Sequence, residues 1–465
     1  MKIVLVNPNP DSKCLETYPP MGLAYLASIA RSMNQEIDLI DAHLFSLDIE
    51  KTVNSILDKN SDLVGLYLTI GNFFTVQSIC KKLRKEGFEG KIVFGGPLCT
   101  IYDNLLQYSD YVVVGEGENS FKALIEHLEK NQKIKPFHQK TTVYGKIGIA
   151  FKRGGKAVFI PQPPVLDLDK IPFPDWSVFP DLRRYKSYCR ERPDIPILTS
   201  RGCPHQCIYC NKSIFGFKFR ARSPKNVVDE IEYLVERFGA KELSIHDDVF
   251  ALDAKRAEKI CDLIIEREID IAWKCDNGIR AEDARLELLK KMKKAGCYMV
   301  AVGAESGNQD VVNKIRRNQD LDVVRKAAKN IRSVGMVLKV FFQFGFPYDT
   351  AETMRDTIEF AKELDPRIAQ FAITTPLPDT ELYRLIENQG KFLYKNWSSL
   401  SYYGGKAMYR IFDLNPREVE LYWKKAYREF YLRPKKILSL LNIRNSKEIL
   451  YALDTFQYIF KSAFK

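Results

Sequence analysis

Three cysteines, Cys203, Cys207 and Cys210, fall within "TSRGCPHQCIYC" (199–210), spaced C-x3-C-x2-C. Thiolates are soft ligands, suited to iron–sulfur clusters and to zinc. Structural zinc takes four protein ligands, and His205 is the one further candidate at motif distance. A 4Fe-4S cluster held by three cysteines keeps one iron open for a small molecule, which would explain three thiols in place of four. A zinc knuckle and three incidental thiols are the alternatives.

The elements that must position these thiols are legible around them. The cysteines follow a candidate strand at 195–200, on a loop with Gly202 and Pro204. Further candidate strands are 242–247, 270–275, 298–304, 337–345 and 368–375, with helical patterns between them. The clearest helix starts at Pro224. Ser223 is its cap, and Val227, Val228, Ile231, Leu234, Val235 and Phe238 form its stripe. Six βα units fall short of the eight that close a full barrel. The expected architecture over 195–390 is therefore a partial (β/α)6 barrel, open on one side.

C-x3-C-x2-C with an aromatic before the last cysteine, here Tyr209, resembles the signature of radical SAM enzymes. The likeness continues at the strand ends: "ELSIHDDVF" (242–250) with Asp247 and Asp248, "AWKCDNGIRAE" (272–282) with Arg280, and "YMVAVGAESGNQ" (298–309) with Glu305 and Ser306. "FFQFGFPYDTAETM" (341–354) and "ITTPLPDTELY" (373–383) complete it. The resemblance implies that Cys203, Cys207 and Cys210 ligate a 4Fe-4S cluster. S-adenosylmethionine (SAM) would chelate its open iron and be cleaved by one electron to a 5′-deoxyadenosyl radical. It also implies SAM-binding roles for Tyr209, Asp247, Asp248, Arg280, Glu305 and Ser306. The G-G-E segment of many second strands in that family is replaced here by "HDDVF".

Residues 1–140 alternate short apolar runs with helical patterns. Strands are expected at 2–7, 36–41, 63–69, 91–96 and 111–117, and helices at 19–33, 74–86 and 118–130. This predicts a five-stranded parallel Rossmann-like sheet, whose ligands bind outside the carboxyl ends of the strands. Glycines in the turns there, Gly95 and Gly96, then Gly115 and Gly117 around Glu116, would let a ligand approach the backbone closely. "PPMGLAYLASIA", "GGPLCT" and "VVVGEGENSF" together resemble the cobalamin-binding domain that precedes the radical SAM core in one large subfamily. The turn after the first strand, "NPNPDSK", lacks the D-x-H-x-x-G motif of mutases, so no histidine ligand to cobalt is expected; His43 is expected to be a surface turn residue.

Between the two alternating regions, 141–194 reads as a hairpin near 142–160 and a proline-rich ordered connector. Residues 391–465 read as a helical region rich in aromatic and basic residues. Within it, Ile449, Leu450, Leu453, Phe456, Ile459 and Phe460 recur at helical spacing beside basic residues. Such a helix could close the core or cover the barrel mouth.

The 465 residues are 45% hydrophobic and 28% charged, without an eighteen-residue apolar run, so no transmembrane segment is expected. Ten cysteines without an export signal suggest reduced thiols and a cytoplasmic protein, with a peripheral membrane contact as the minority reading. The net charge of +12 suits an anionic partner but identifies none. The resemblance implies a cobalamin-dependent methyltransferase acting on an unactivated carbon of an unidentified, large hydrophobic or anionic substrate. An external flavodoxin or ferredoxin would supply electrons. Non-methylating radical chemistry, as in anaerobic porphyrin-ester cyclases, is the alternative. RNA methylthiotransfer, with Cys14, Cys80 and Cys99 around a second cluster, is a weaker one, and nucleic acid is not the expected partner.

Overall fold

A computed structural model of the chain describes residues 1–11, 17–137, 142–394 and 405–441. They form two compact units. The first holds residues 1–186, 201–204 and 211–222; the second holds 187–200, 205–210 and those from 223 onward.

In the first unit the five expected strands are present: β1 (Lys2–Asn7), β2 (Glu36–Asp41), β3 (Leu63–Tyr67), β4 (Lys91–Gly95) and β5 (Tyr111–Val114). Their pairings are all parallel, in the order β2-β1-β3-β4-β5. Ile3, Val4, Leu63, Val64 and Ile92 are fully buried, as strands covered on both faces must be. Helices α1 (Met21–Ser32), α2 (Ile49–Leu57), α3 (Phe73–Lys85) and α4 (Gly117–Lys130) provide that cover, α1 packing on α4 and α2 on α3. The strand order reverses between β1 and β3, which opens a crevice at their carboxyl ends.

The sheet is wider than the sequence suggested. The expected hairpin, β6 (Gly148–Arg153) and β7 (Lys156–Pro161), adds two antiparallel strands to β5 and makes seven in all. An antiparallel extension is local in sequence and protects β5 from being an edge. The connector after it is ordered by three aspartates, Asp167, Asp175 and Asp181, each accepting from the backbone N–H two residues on.

The second unit has six parallel strands in sequential order: β8 (Asp194–Ile197), β9 (Glu242–Ile245), β10 (Ala272–Ile279), β11 (Cys297–Glu305), β12 (Val337–Phe344) and β13 (Ile368–Ile373). This is the expected partial barrel. Between the strands lie α5 (Pro224–Phe238), α6 (Ala254–Glu266), α7 (Leu286–Lys294), α8 (Gln309–Lys314), α9 (Leu321–Ser333) and α10 (Ala351–Leu364). Ser223 caps α5 through the Asn226 N–H, with Pro224 in the first turn.

An open barrel leaves β13 as an edge with unpaired backbone groups. After α11 (Glu381–Gln389), helix α12 (Pro416–Tyr431) covers that edge. The Trp423 indole donates to the Phe371 carbonyl, the Tyr427 hydroxyl to the same oxygen, and the Tyr431 hydroxyl to the Ala369 carbonyl. The Ala369 N–H donates to Tyr431 in return. Four helical residues rise about 6 Å, close to the span of two strand residues, so an i, i+4, i+8 row matches a strand edge. Helix α13 (Pro434–Leu441) follows. The amphipathic segment expected at 448–464 lies outside the described residues, as does most of 397–405. No helix among the described residues is long and apolar enough to cross a membrane.

Candidate active site

In the second unit the cysteine stretch is pinned at Ile208, between Cys207 and Cys210. The Ile208 N–H donates to the Ile315 carbonyl at the end of α8, and the Ile208 carbonyl accepts from Leu382 of α11. The Ile208 side chain is buried with Val311, Ile315 and Phe346, and Tyr209 packs on the same cluster, its ring 5.3 Å from Phe346. Cys207 is buried and Cys210 exposed. Cys203 belongs to the first unit, where it is buried and its N–H donates to Gly216. Gly202 and Gly216 have φ of +81° and +67°, and a Cβ at either would collide with backbone atoms of Lys218 or Tyr144. The loop's shape therefore requires both glycines.

Beside Cys207 lies Arg317, a residue the sequence reading did not single out. Burial opposes its charge, but Tyr209, Glu305 and Cys207 raise its pKa, and the guanidinium is within hydrogen-bonding reach of the Cys207 sulfur. Arg317 Nη2 also donates to the Gly303 carbonyl at 3.0 Å and stands 3.9 Å from Glu305 Oε1. Gln343 of β12 donates to Glu305 Oε2 at 2.8 Å. Glu305 ends β11 with φ of +68°, beside an irregularity in the β11–β12 register. A non-glycine residue in that region is strained, and such strain concentrates at functional sites.

Arg280, at the carboxyl end of β10, donates to Glu282 and to the carbonyls of Arg317 and Asn318. Its Nη1 is buried with no hydrogen-bond partner among the described residues. Glu305 and Arg280 are thus brought to one end of the central strands, with Tyr209 and Arg317.

The remaining expected site residues of this unit are Asp247, Asp248 and Ser306. Asp247 is buried and accepts from the Thr199 N–H, the Thr199 hydroxyl and the Ser200 hydroxyl at 2.5–2.6 Å. It ties the chain just past β8 to the chain just past β9. Asp248, the next residue, is exposed. Ser306 is fully buried, paired with the Thr357 hydroxyl at 3.2 Å and accepting from the Asn308 N–H. That lock shapes the turn after β11.

At the carboxyl edge of the first unit's sheet the four glycines also differ. Gly96 (φ +121°) and Gly115 (φ +74°) each have a backbone oxygen, of Leu68 and of Lys146, 2.5 Å from where a Cβ would stand. These two are needed by the turns themselves. Gly117 faces Leu26 of α1 at 3.1 Å. No described residue lies within 4 Å of the missing Cβ of Gly95 or of Gly22, in the first turn of α1. Glu116, expected to face a ligand, is buried. Its carboxylate accepts from Arg220 and from the Val165 N–H, and Glu118 next to it accepts from Arg201. Arg201 and Arg220 bracket the cysteine loop in sequence, so these carboxylates anchor that loop's flanks. Buried carboxylates require such partners. His43, after β2, is half-buried; burial lowers its pKa, opposed by Asp41.

Similarity to known proteins agrees with both units. Residues 197–361 match the radical SAM superfamily model, and residues 12–125 match the B12 binding domain model. An uncharacterized methyltransferase of Pyrococcus horikoshii is 32% identical, with 94% of each chain covered. The anaerobic magnesium-protoporphyrin IX monomethyl ester cyclase of Rubrivivax gelatinosus is 26% identical over 83% of this chain and 70% of its own. Among solved structures, the radical SAM methyltransferase TsrM of Kitasatospora setae, with cobalamin and a 4Fe-4S cluster bound, shares the fold. Its TM-score is 0.72 at 16% identity, with 99% of each chain covered. The chain belongs to the radical SAM superfamily, in the branch whose members carry an N-terminal B12 binding domain.

Proposed function

We propose that this protein is a cobalamin-dependent radical SAM methyltransferase that acts on an unactivated carbon. The observation that carries the reading is the similarity, over nearly the full length, to an uncharacterized methyltransferase, joined to a three-cysteine stretch spaced C-x3-C-x2-C.

The residues fit the groups this chemistry needs. Metal-ligating thiols must lose their protons. Burial pushes the Cys80 thiol up to about 12 and raises those of Cys99, Cys261 and Cys275, so these cysteines keep theirs. The Arg317 guanidinium lies within hydrogen-bonding reach of the Cys207 sulfur. For the corrin, Gly95 leaves a cradle at the carboxyl end of β4 that a side chain would enter, with no described residue within 4 Å of its missing Cβ.

Cys203, Cys207 and Cys210 would hold the cluster, Arg280 and Glu305 would bind the polar groups of SAM, and the carboxyl edge around Gly95 would hold cobalamin. Bound together, these groups supply one-electron cleavage of SAM and a carrier for its methyl group. The chain's own part is orientation and exclusion of water. Arg280 offers a buried N–H to an anionic oxygen, and Gln343 holds the Glu305 carboxylate in place. A flavodoxin or ferredoxin type of donor would bring the electron.

The cyclase reading keeps one support, the similarity to the Rubrivivax enzyme. The two part on products. With reductant and SAM, anaerobically prepared protein given its substrate should form 5′-deoxyadenosine and S-adenosylhomocysteine in equal amounts, and the product should gain a methyl group. Deoxyadenosine without S-adenosylhomocysteine would favour the cyclase type. Methylthiotransfer lacks support from Cys80 and Cys99, which are buried with raised pKa, while Cys14 lies outside the described residues.

The cradle gives a direct prediction. Gly95→Phe should fold as the wild type, since its Cβ meets nothing, yet lower the cobalamin retained after gel filtration by about tenfold or more, the effect of one lost well-packed contact region. Gly96 is a poor test, because a side chain there collides with Leu68. Full retention by Gly95→Phe would place the corrin elsewhere.

A further inference from the structure

Packed barrels fill their interior with bulky apolar side chains. The inner face here departs from that. On β12 the residues Leu338, Val340, Phe342 and Phe344 are buried, and Phe342 and Phe344 pack with Phe371, which in turn meets Tyr427 of α12. The alternate set, Val337, Lys339, Phe341 and Gln343, points the other way and is only half-buried. On β13 the same alternation turns Gln370 and Ala372 inward.

Register groups these residues. Phe341 pairs with Gly303 on one side and Gln370 on the other; Lys339 pairs with Ala301 and Ile368. Ala301 places only a methyl group beside Lys339, while the Glu305 carboxylate and the Arg317 guanidinium lie over Gly303, next to Phe341. The Lys339 ammonium donates to Asp276 Oδ1 of β10 at 2.6 Å, and it lies 5.0 Å from the Phe341 ring. An ammonium has three donors. Asp276 uses one, and no other acceptor among the described residues takes the remaining two. The Gln370 amide, next to Phe341, has no hydrogen-bond partner among the described residues.

From this arrangement we infer that the inner face of β12 and β13 is the substrate-recognition surface, selecting an organic molecule with a carboxylate on a flat apolar body. The body lies on Phe341, the carboxylate takes the two spare donors of Lys339, and Gln370 meets the edge. Asp276 is a positioning residue that fixes the ammonium. This rests on the function proposed above, since it names the substrate class of that same barrel.

The probe pair is benzoate and benzamide, equal in shape and different in charge. Binding to the anaerobically loaded holoenzyme would be titrated by saturation-transfer NMR. A hydrogen bond to a charged group is worth about tenfold or more in affinity. Benzoate should therefore bind about tenfold more tightly than benzamide. Lys339→Met should remove that difference, and Phe341→Leu should weaken both probes. Should Lys339→Met fail to fold because Asp276 loses its cation, Lys339→Met with Asp276→Asn carries no stranded charge and should show the same loss. Equal binding of the two probes to the wild type, no saturable benzoate binding, or undiminished benzoate selectivity in the lysine variants would each overturn the assignment. SAM cleavage by the wild-type holoenzyme, measured without either probe, reports separately. Cleavage without benzoate selectivity refutes this assignment alone, and absence of cleavage refutes the proposed function.

Discussion

Alanine at any one of Cys203, Cys207 or Cys210 is expected to abolish iron loading and reductive SAM cleavage together. Three anchors leave no redundancy: with two, a cluster is neither retained nor oriented with its open iron toward SAM. The measurement is iron per chain and 5′-deoxyadenosine formed after anaerobic reconstitution, and both should fall to the level of protein without iron. Cys261→Ala and Cys80→Ala are the controls. Each is buried with a raised thiol pKa, so each should cost only a packing change of about 1 kcal/mol and keep iron and cleavage. A single triad variant that cleaves SAM at the wild-type rate would remove the cluster assignment, and with it the reading of the second unit as a catalyst.

The triad was legible because its signal is local: three thiols in eight residues after a strand. The strands were legible for a related reason. Runs such as "KIVLVN" and "YMVAVG" are too apolar and too short to be anything but strands covered on both sides. What stayed hidden depended on which strands become neighbours. Asp247 read as a SAM-binding residue, because the hydroxyls that hold it belong to Thr199 and Ser200, distant in sequence and just past the end of β8. Glu116 read as a ligand-side residue, because Arg220 is 104 positions away. Arg317 carried no motif at all; it becomes notable only once α8 ends beside Cys207. Trp423, Tyr427 and Tyr431 did carry a visible i, i+4, i+8 spacing. Their use as an edge cover follows only from knowing that β13 is the last strand.

Lys274 shows the same principle with the largest expected effect on stability. It lies near the start of β10, fully buried at 0% side-chain exposure, with Asp194 and Glu242 at the starts of β8 and β9. Register brings the three together: Glu242 pairs with Asp194, and Lys274 with Ser244. The ammonium stands 2.8 Å from both carboxylates and also donates to the Tyr188 carbonyl. Burial alone would lower its pKa, yet Asp194 and Glu242 hold it above the usual lysine value. For Glu242 the direction is also upward, because burial outweighs the half-share of one ammonium. The charged lysine is the dependable member, since two carboxylates depend on it.

The cluster sits at the amino ends of the strands, away from the end where such barrels do chemistry, so its role is structural. Lys274→Met keeps the volume and strands two buried carboxylates. Removing one partner of a buried pair costs about 3–5 kcal/mol. For a unit of this size that is a fall of about 10 °C in its unfolding transition. Adding Glu242→Gln should recover part of the loss. A neutral amide needs no counter-charge, and its oxygen can still accept from the Tyr298 hydroxyl, as Glu242 does at 2.5 Å. Thermal unfolding of the single and double variants by circular dichroism decides the matter. If Lys274→Met melts with the wild type, the network contributes nothing. If the double variant melts below the single one, the carboxylate of Glu242 is serving its backbone donors, Arg190 and Glu191, more than its lysine.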